Sequence, residues 1–289
     1  MKNILVTGGN GQLGRSLHKI AREYSLYRFI FTDMPETDIT DRTAIDNQIQ
    51  AYDIDWLVNC AAYTQVDRAE SEKDTARHIN ATGSKVLAEA ALAHGIKLIH
   101  ISTDYVFGSD ENRNEPYMET DPTGPINVYG ETKLEGENAI RITGCDAAVI
   151  RTSWLFSEFG GNFVKTMLNL SRQRSSINVV DDQYGCPTYA TDLARAIMKL
   201  IETDIKGFEI FNFCNSGVTN WYGFACEIFR QAGIAIETTP VPHTSYLTAA
   251  SRPSFSVLDT TKIRSLGVVT PDWKESLSEC LAKLGEIKV

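Results

Sequence analysis

The sequence has no cysteine arrangement suited to cross-linking or chelation. Its six cysteines, Cys60, Cys145, Cys186, Cys214, Cys226 and Cys280, are dispersed without a C-x-x-C pair, so they read as reduced, mostly buried thiols rather than a disulfide or zinc framework. The five histidines are equally scattered, and no metal site is expected. Positive charge is in deficit: 28 Lys and Arg stand against 37 Asp and Glu, a formal net charge of −9. That excludes a broad nucleic-acid-binding surface, while a local basic pocket for a diphosphate is still allowed. No run approaches 18 apolar residues, and the apolar start is short and runs straight into a glycine turn. Neither a membrane span nor a signal peptide is read, and a cytoplasmic location is expected. Internal repeats and low-complexity linkers are also missing. What is present is an ordinary globular composition, 43% hydrophobic and 22% charged over 289 residues, enough for one large or two modest domains.

Strand-like and helix-like runs alternate through the first half: strands at 3–7, 28–32, 56–59, 97–102 and 147–152, and helices at 12–24, 43–52, 72–94 and 128–142. This is a βαβ rhythm, and its apolar strands suit a parallel sheet covered on both faces. Right-handed crossovers then predict an α/β, doubly wound parallel-sheet Rossmann domain over residues 1–155. Beyond about residue 152 the rhythm loosens into helices at 162–174, 191–203, 221–232 and 274–284, strands at 177–180 and 209–214, and a proline-containing loop at 240–253. Residues 156–289 are read mainly as a smaller α/β substrate domain, with segments near 176–205 returning to the first. The two parts are expected to share a cleft.

The first strand, with Ile4, Leu5 and Val6, ends in Gly8-x-x-Gly11-x-x-Gly14 and continues into a helix. Such a junction aims free backbone N–H groups and the positive end of a helix dipole at an anion, and glycine lets a pyrophosphate approach closely. Gly8, Gly11, Gln12, Leu13 and Gly14 are therefore the expected dinucleotide cradle. The second strand ends at Asp33, where this fold holds the adenosine ribose, and its carboxylate would accept from a 2′-hydroxyl. A carboxylate there favours NADH over NADPH, whereas Arg15 and Arg28 could offset its repulsion of a 2′-phosphate, so the cofactor is NADPH or NADH. Asp38 and Ile39 are expected beneath the adenine. Ala61, Ala62 and Tyr63, at the end of a central strand, would lie against the middle of the cofactor.

Tyr129 and Lys133 are four residues apart in Tyr129-Gly-Glu-Thr-Lys133. That spacing arises by chance about 0.5 times in such a chain, so context has to decide its meaning. On a helix the two share a face, and an ammonium beside a phenol is expected to pull its pKa down from about 10 toward neutrality. Thr103, at the end of the preceding strand, supplies a hydroxyl. Thr103 and Tyr129 would grip a substrate carbonyl oxygen, and Lys133 would hold the nicotinamide ribose.

With these pieces in order, the chain resembles the extended short-chain dehydrogenase/reductase superfamily, and within it the family of the dTDP-4-dehydrorhamnose reductases. The resemblance spans nearly the whole chain. It is carried by the glycine turn 8–14 and by Asn59-Cys-Ala-Ala-Tyr-Thr-Gln-Val-Asp-Arg-Ala-Glu70, Ser102-Thr-Asp-Tyr-Val-Phe107 and Asn127-Val-Tyr-Gly-Glu-Thr-Lys-Leu-Glu-Gly-Glu137. Arg151-Thr-Ser-Trp154, Asp182-Gln-Tyr-Gly-Cys-Pro-Thr188 and Ala250-Ser-Arg-Pro253 continue it. It implies reduction of the C4 keto group of dTDP-4-dehydro-L-rhamnose, with Thr103, Tyr129 and Lys133 catalytic. It also implies that Thr103, Asp104 and Trp154 touch the sugar nucleotide, and Arg252 suits its diphosphate.

Two departures qualify the resemblance. Some members resemble dimers bridged by magnesium through glutamates, one of them two residues past the third glycine. Here that position is Ser16, so a monomer or weak homodimer is expected. The related dehydratases carry Thr-Asp-Glu where this chain has Thr103-Asp104-Tyr105; lacking that glutamate, elimination loses its base. An epimerase or dehydratase that retains its cofactor is one alternative. A non-catalytic binding protein, like the regulatory subunit of methionine adenosyltransferase, is the other.

Overall fold

Ile4, Leu5 and Val6 are all fully buried, as consecutive apolar residues must be on a strand covered from both faces. Their strand, β1 (Lys2–Thr7), is central to a sheet completed by β2 (Tyr27–Thr32), β3 (Trp56–Asn59), β4 (Lys97–Thr103), β5 (Ala147–Thr152) and β6 (Phe208–Phe213). The computed structural model describes residues 1–287. Across the sheet the order is β6-β5-β4-β3-β1-β2 and every pairing is parallel. The chain therefore has the doubly wound parallel sheet that its alternating pattern predicts.

Helices cover both faces. Leu13, Leu17 and Ile20 of α1 (Gln12–Ile20) pack with Leu193, Ile197 and Ile201 of α5 (Ala190–Thr203) on one side. Ile45 and Ile49 of α2 (Arg42–Tyr52), Leu87 and Ala91 of α3 (Ser84–His94) and Ile140 of α4 (Val128–Thr143) fill the other. Each large aliphatic side chain so buried contributes about 1.5–3 kcal/mol. The helix ends follow from local chemistry. Asp41 accepts the Thr43 and Ala44 N–H groups at 2.8 and 3.2 Å to start α2. Asn127 accepts the Gly130 N–H at 2.8 Å to start α4, which stops at Gly144 in the left-handed region; a side-chain cap of this kind is worth about 1 kcal/mol.

A third cluster lies beyond the sheet, where Phe156, Val164, Tyr189, Phe224, Trp273 and Leu277 are buried together. It joins the helices Phe163–Ser171, Trp221–Gln231 and Trp273–Leu284 to a parallel strand pair, Ser176–Val180 with Glu237–Val241. Pro240 belongs to that second strand, where the sequence pattern predicts loop; as an edge partner it need not donate to a neighbour.

The continuous helix expected over 72–94 is interrupted. A helix at Lys73–Arg77 widens into a π turn, His78–Gly83, before α3 begins. The widened turn brings the Asn80 side chain to the Tyr63 backbone, accepting its N–H at 2.9 Å and donating to its carbonyl at 3.1 Å. Periodicity does not register such a turn, because the apolar stripe continues through it. Among the described residues, no helix is long and apolar enough to cross a membrane.

Strand order reverses between β1 and β3, which stay paired to Thr7 and Asn59, so the connections leaving their C-terminal ends run to opposite faces of the sheet and leave a crevice. The site lies there.

Candidate active site

The crevice is a cavity of about 1190 Å³. Its floor begins at the glycine turn. Gly8 has φ +67°, and a Cβ there would stand 2.5 Å from the Ala61 nitrogen, so only glycine allows the turn and β3 to meet this closely. Gly8, Gly11, Gln12 and Leu13 line the cavity. Gly14 does not; a Cβ on it would lie 2.4 Å from the Gly8 carbonyl oxygen, so its role is close packing of α1 under the turn.

Asp33, Asp38, Ile39, Ala61 and Ala62 line the same wall. Asp33 ties the turn to β2, accepting the Asn10 and Met34 N–H groups at 2.8 Å each. Asp38 accepts from the Thr40 N–H and hydroxyl, bonds that hold its carboxyl below the usual range. Tyr63 does not line the cavity, and its hydroxyl donates to Glu72 at 2.6 Å. The guanidinium of Arg15 covers Phe159 and that of Arg28 lies over Tyr52. Neither arginine lines the cavity.

At the far end, the C-terminus of β4 and the first turns of α4 bring Thr103, Asp104, Tyr129 and Lys133 to one wall. Burial pushes the Tyr129 phenol up to about 12, with the neighbouring Thr103 hydroxyl pulling the other way. This corrects the expectation from spacing alone, which has Lys133 lowering that pKa. The Lys133 ammonium is itself buried, donates to the Ile101 carbonyl at 2.6 Å, and is pushed down to about 8 by desolvation. Burial disfavours the phenolate and the ammonium alike, and it is the largest influence on each. Asp104 is likewise pushed up to about 7 by burial, and its Oδ2 has no hydrogen-bond partner among the described residues.

Trp154 faces the opposite side of the cavity with φ 46°, and its indole stacks on Trp221 at a centroid distance of 3.6 Å. Trp221 escapes the sequence reading because it follows no motif and meets the site only through the stack. Gly160, Gly161 and Asn162 also line the cavity unforeseen. They are held by Gln12, whose Oε1 accepts from Ser157 Oγ and Asn162 Nδ2 at 2.9 Å each. Arg252 lies outside the cavity lining, forming a salt bridge to Asp67 at 2.6 Å. Ser16 is fully buried, its hydroxyl donating to the Gln12 carbonyl at 2.9 Å. The described residues contain no cluster of three or more His, Cys, Asp or Glu able to hold a metal.

The residues present fit a dinucleotide. The glycine turn, the Asp33 carboxylate, and the hydroxyl, phenol and amine of Thr103, Tyr129 and Lys133 all line one cavity. The model of the RmlD substrate binding domain matches residues 1–286. The dTDP-4-dehydrorhamnose reductase of Aggregatibacter actinomycetemcomitans is 39% identical, the alignment covering 98% of this chain and 99% of that protein. Among solved structures, a dTDP-4-dehydrorhamnose reductase of Clostridium acetobutylicum superposes with a TM-score of 0.92 at 41% identity, covering 98% and 99% of the two chains. The corresponding enzyme of Bacillus anthracis, solved in complex with NADP, superposes with a TM-score of 0.93 at 38% identity over 98% and 100%.

Proposed function

The chain belongs to the RmlD substrate binding domain family, and from that premise we propose that it reduces the C4 keto group of dTDP-4-dehydro-L-rhamnose, with NADPH or NADH, to give dTDP-L-rhamnose. One observation carries the reading: Thr103, Tyr129 and Lys133 share a single cavity with the glycine turn. The presence of NADP in the Bacillus anthracis relative supports the cofactor class.

In this reading the turn Gly8–Gly11 with Gln12 and Leu13 receives the diphosphate, Asp33 the adenosine ribose, and Ala61 and Ala62 the middle of the cofactor. Asp38 and Ile39 flank the adenine, and Lys133 takes the nicotinamide ribose. When bound, the reduced cofactor supplies the hydride. Thr103 and Tyr129 hold the ketone oxygen, and the Tyr129 phenol, kept protonated by burial, donates its proton to that oxygen as it gains charge. Asp104 and the Trp154–Trp221 stack orient the sugar nucleotide, an indole face suiting a sugar's apolar side. Tyr105 stands where an eliminating relative needs a carboxylate, which favours simple reduction.

Residues 1–155, with α5 and β6 returning to the sheet, form the cofactor-binding part in this proposal, and most of 156–289 the substrate part. The cytoplasmic location and the monomer or weak homodimer belong to the same reading, the latter supported by the burial of Ser16 inside the first helix. The test is a coupled assay that generates the keto sugar in place, run once with NADPH and once with NADH. Stoichiometric cofactor oxidation with substrate in excess is expected. A protein that binds either cofactor without oxidising it, or that retains the cofactor through the cycle, would overturn the assignment.

A further inference from the structure

Behind the catalytic wall, buried polar groups form a chain that ends on Lys133. The Ala61 N–H donates to Asn59 Oδ1 at 3.0 Å, and the Thr7 hydroxyl donates to the same oxygen at 2.7 Å. A backbone N–H can only donate, so the oxygen of Asn59 is held on that side and its Nδ2 faces His100 Nδ1 at 3.0 Å. An amide NH2 also only donates. Nδ1 is therefore an acceptor, and the neutral imidazole of His100 carries its proton on Nε2.

Nε2 stands 3.4 Å from Lys133 Nζ. An ammonium has three donors and no lone pair, so it would oppose Nε2–H donor to donor, whereas a neutral amine presents a lone pair to it. Reversing the chain would point the Asn59 amide at the Ala61 N–H, leaving two buried donors opposed.

From this chain of donors we propose that His100 is a positioning residue: the tautomer imposed on it by Asn59 favours the uncharged amine of Lys133 and so sets the pH range of the reaction. The other groups around Lys133 act in the opposite direction or are already paired. Cys60, just past β3, and Glu137, one turn along α4, each favour the ammonium. Glu137 is neutralised by Arg151 of β5 at 2.7 Å and also accepts from Ser102 at 2.5 Å. Tyr129, on the helix of Lys133, stays an uncharged phenol. The directions agree, since burial and the neighbouring Lys133 hold His100 well below its usual pKa and so keep the ring uncharged. With Lys133 changing charge not far above neutrality, it can both lose and recover a proton during turnover.

The pH range of catalysis rests on the reductase reading; the proton positions do not, and they are read in the full-length resting protein. Nitrogen-15 spectra of labelled histidine are expected to show His100 as the Nε2–H tautomer, uncharged at pH values where an ordinary imidazole is already protonated. A proton on Nδ1, or a charged ring at pH 6, overturns the proposal whatever the enzyme's activity. In His100→Ala the opposing donor is removed, and water in the vacated space can accept from the ammonium. The Lys133 titration followed in carbon-13 spectra of labelled lysine is then expected to move up by about one pH unit, a tenfold change in proton affinity. In Asn59→Asp the carboxylate accepts from His100 Nδ1, and the tautomer is expected to invert. An unmoved lysine midpoint in folded His100→Ala would refute the coupling, and the wild-type tautomer decides the matter if that variant does not fold. If the enzyme reduces the keto sugar, the pH profile of kcat is expected to shift with the lysine midpoint.

Discussion

The Thr103 hydroxyl donates to the Asp104 carboxylate at 3.0 Å while accepting the Tyr105 N–H at 3.1 Å. Its oxygen is thereby held at the end of β4, on the wall that carries Tyr129. The other carboxylate oxygen of Asp104 is buried without a partner among the described residues, a cost of about 1–3 kcal/mol or more that a ligand hydroxyl would relieve.

The cost is measurable as a pH-dependent stability. Burial moves the Asp104 carboxyl from 3.8 to about 7, so between those values the folded chain holds a proton that the unfolded chain has lost. Its contribution is fully present below pH 4 and is lost as pH rises through about 7. Asp104→Asn is expected to remove that slope, making the variant more stable than wild type at pH 8 by on the order of 2–4 kcal/mol relative to their difference at pH 4. Urea unfolding at the two pH values checks this, and an equal difference at both would rule it out.

Tyr129→Phe is expected to lower turnover by about 10²–10⁴, the usual contribution of a positioned general acid, while cofactor binding followed by fluorescence stays within about threefold of wild type. A phenol held up to about 12 stays protonated throughout the neutral range. Near-normal turnover in the variant would remove Tyr129 from the chemistry.

Asp33 presents a carboxylate at the expected ribose end, its oxygens anchored by two backbone N–H groups. Asp33→Asn removes the charge that would oppose a 2′-phosphate. The ratio of kcat/KM with NADPH to that with NADH is expected to rise roughly tenfold, as for loss of one close repulsion of about 1–2 kcal/mol. A ratio unchanged by the substitution would place the 2′ position elsewhere.

Gly14→Ala puts a Cβ 2.4 Å from the Gly8 carbonyl oxygen and 2.6 Å from the Gly9 Cα. Both are backbone atoms that cannot rotate away. Overpacking of this kind costs about 1–3 kcal/mol, a fall in Tm of roughly 2–10 °C for a chain of this size. Calorimetry with and without cofactor separates this from a binding role: a variant as stable as wild type would show that the packing is slack.

The doubly wound sheet, the glycine turn, and Thr103, Tyr129 and Lys133 in chain order were legible in the sequence because each rests on local chemistry. A strand buried on both faces must be continuously apolar, a tight approach needs glycine, and residues four apart on a helix share a face. The family resemblance read from the same motifs agrees with the match of the family model over residues 1–286. Only the tertiary structure decided what depends on neighbours distant in the chain. It separated Gly14, which packs, from Gly8 and Gly11, which line the cavity. It paired Arg252 with Asp67 and stacked Trp154 on Trp221. It also reversed the expected direction of the Tyr129 pKa and set His100 beside Lys133. Burial and donor orientation are properties of the surroundings, and for these groups the surroundings come from several strands and helices at once, which no spacing along one segment encodes.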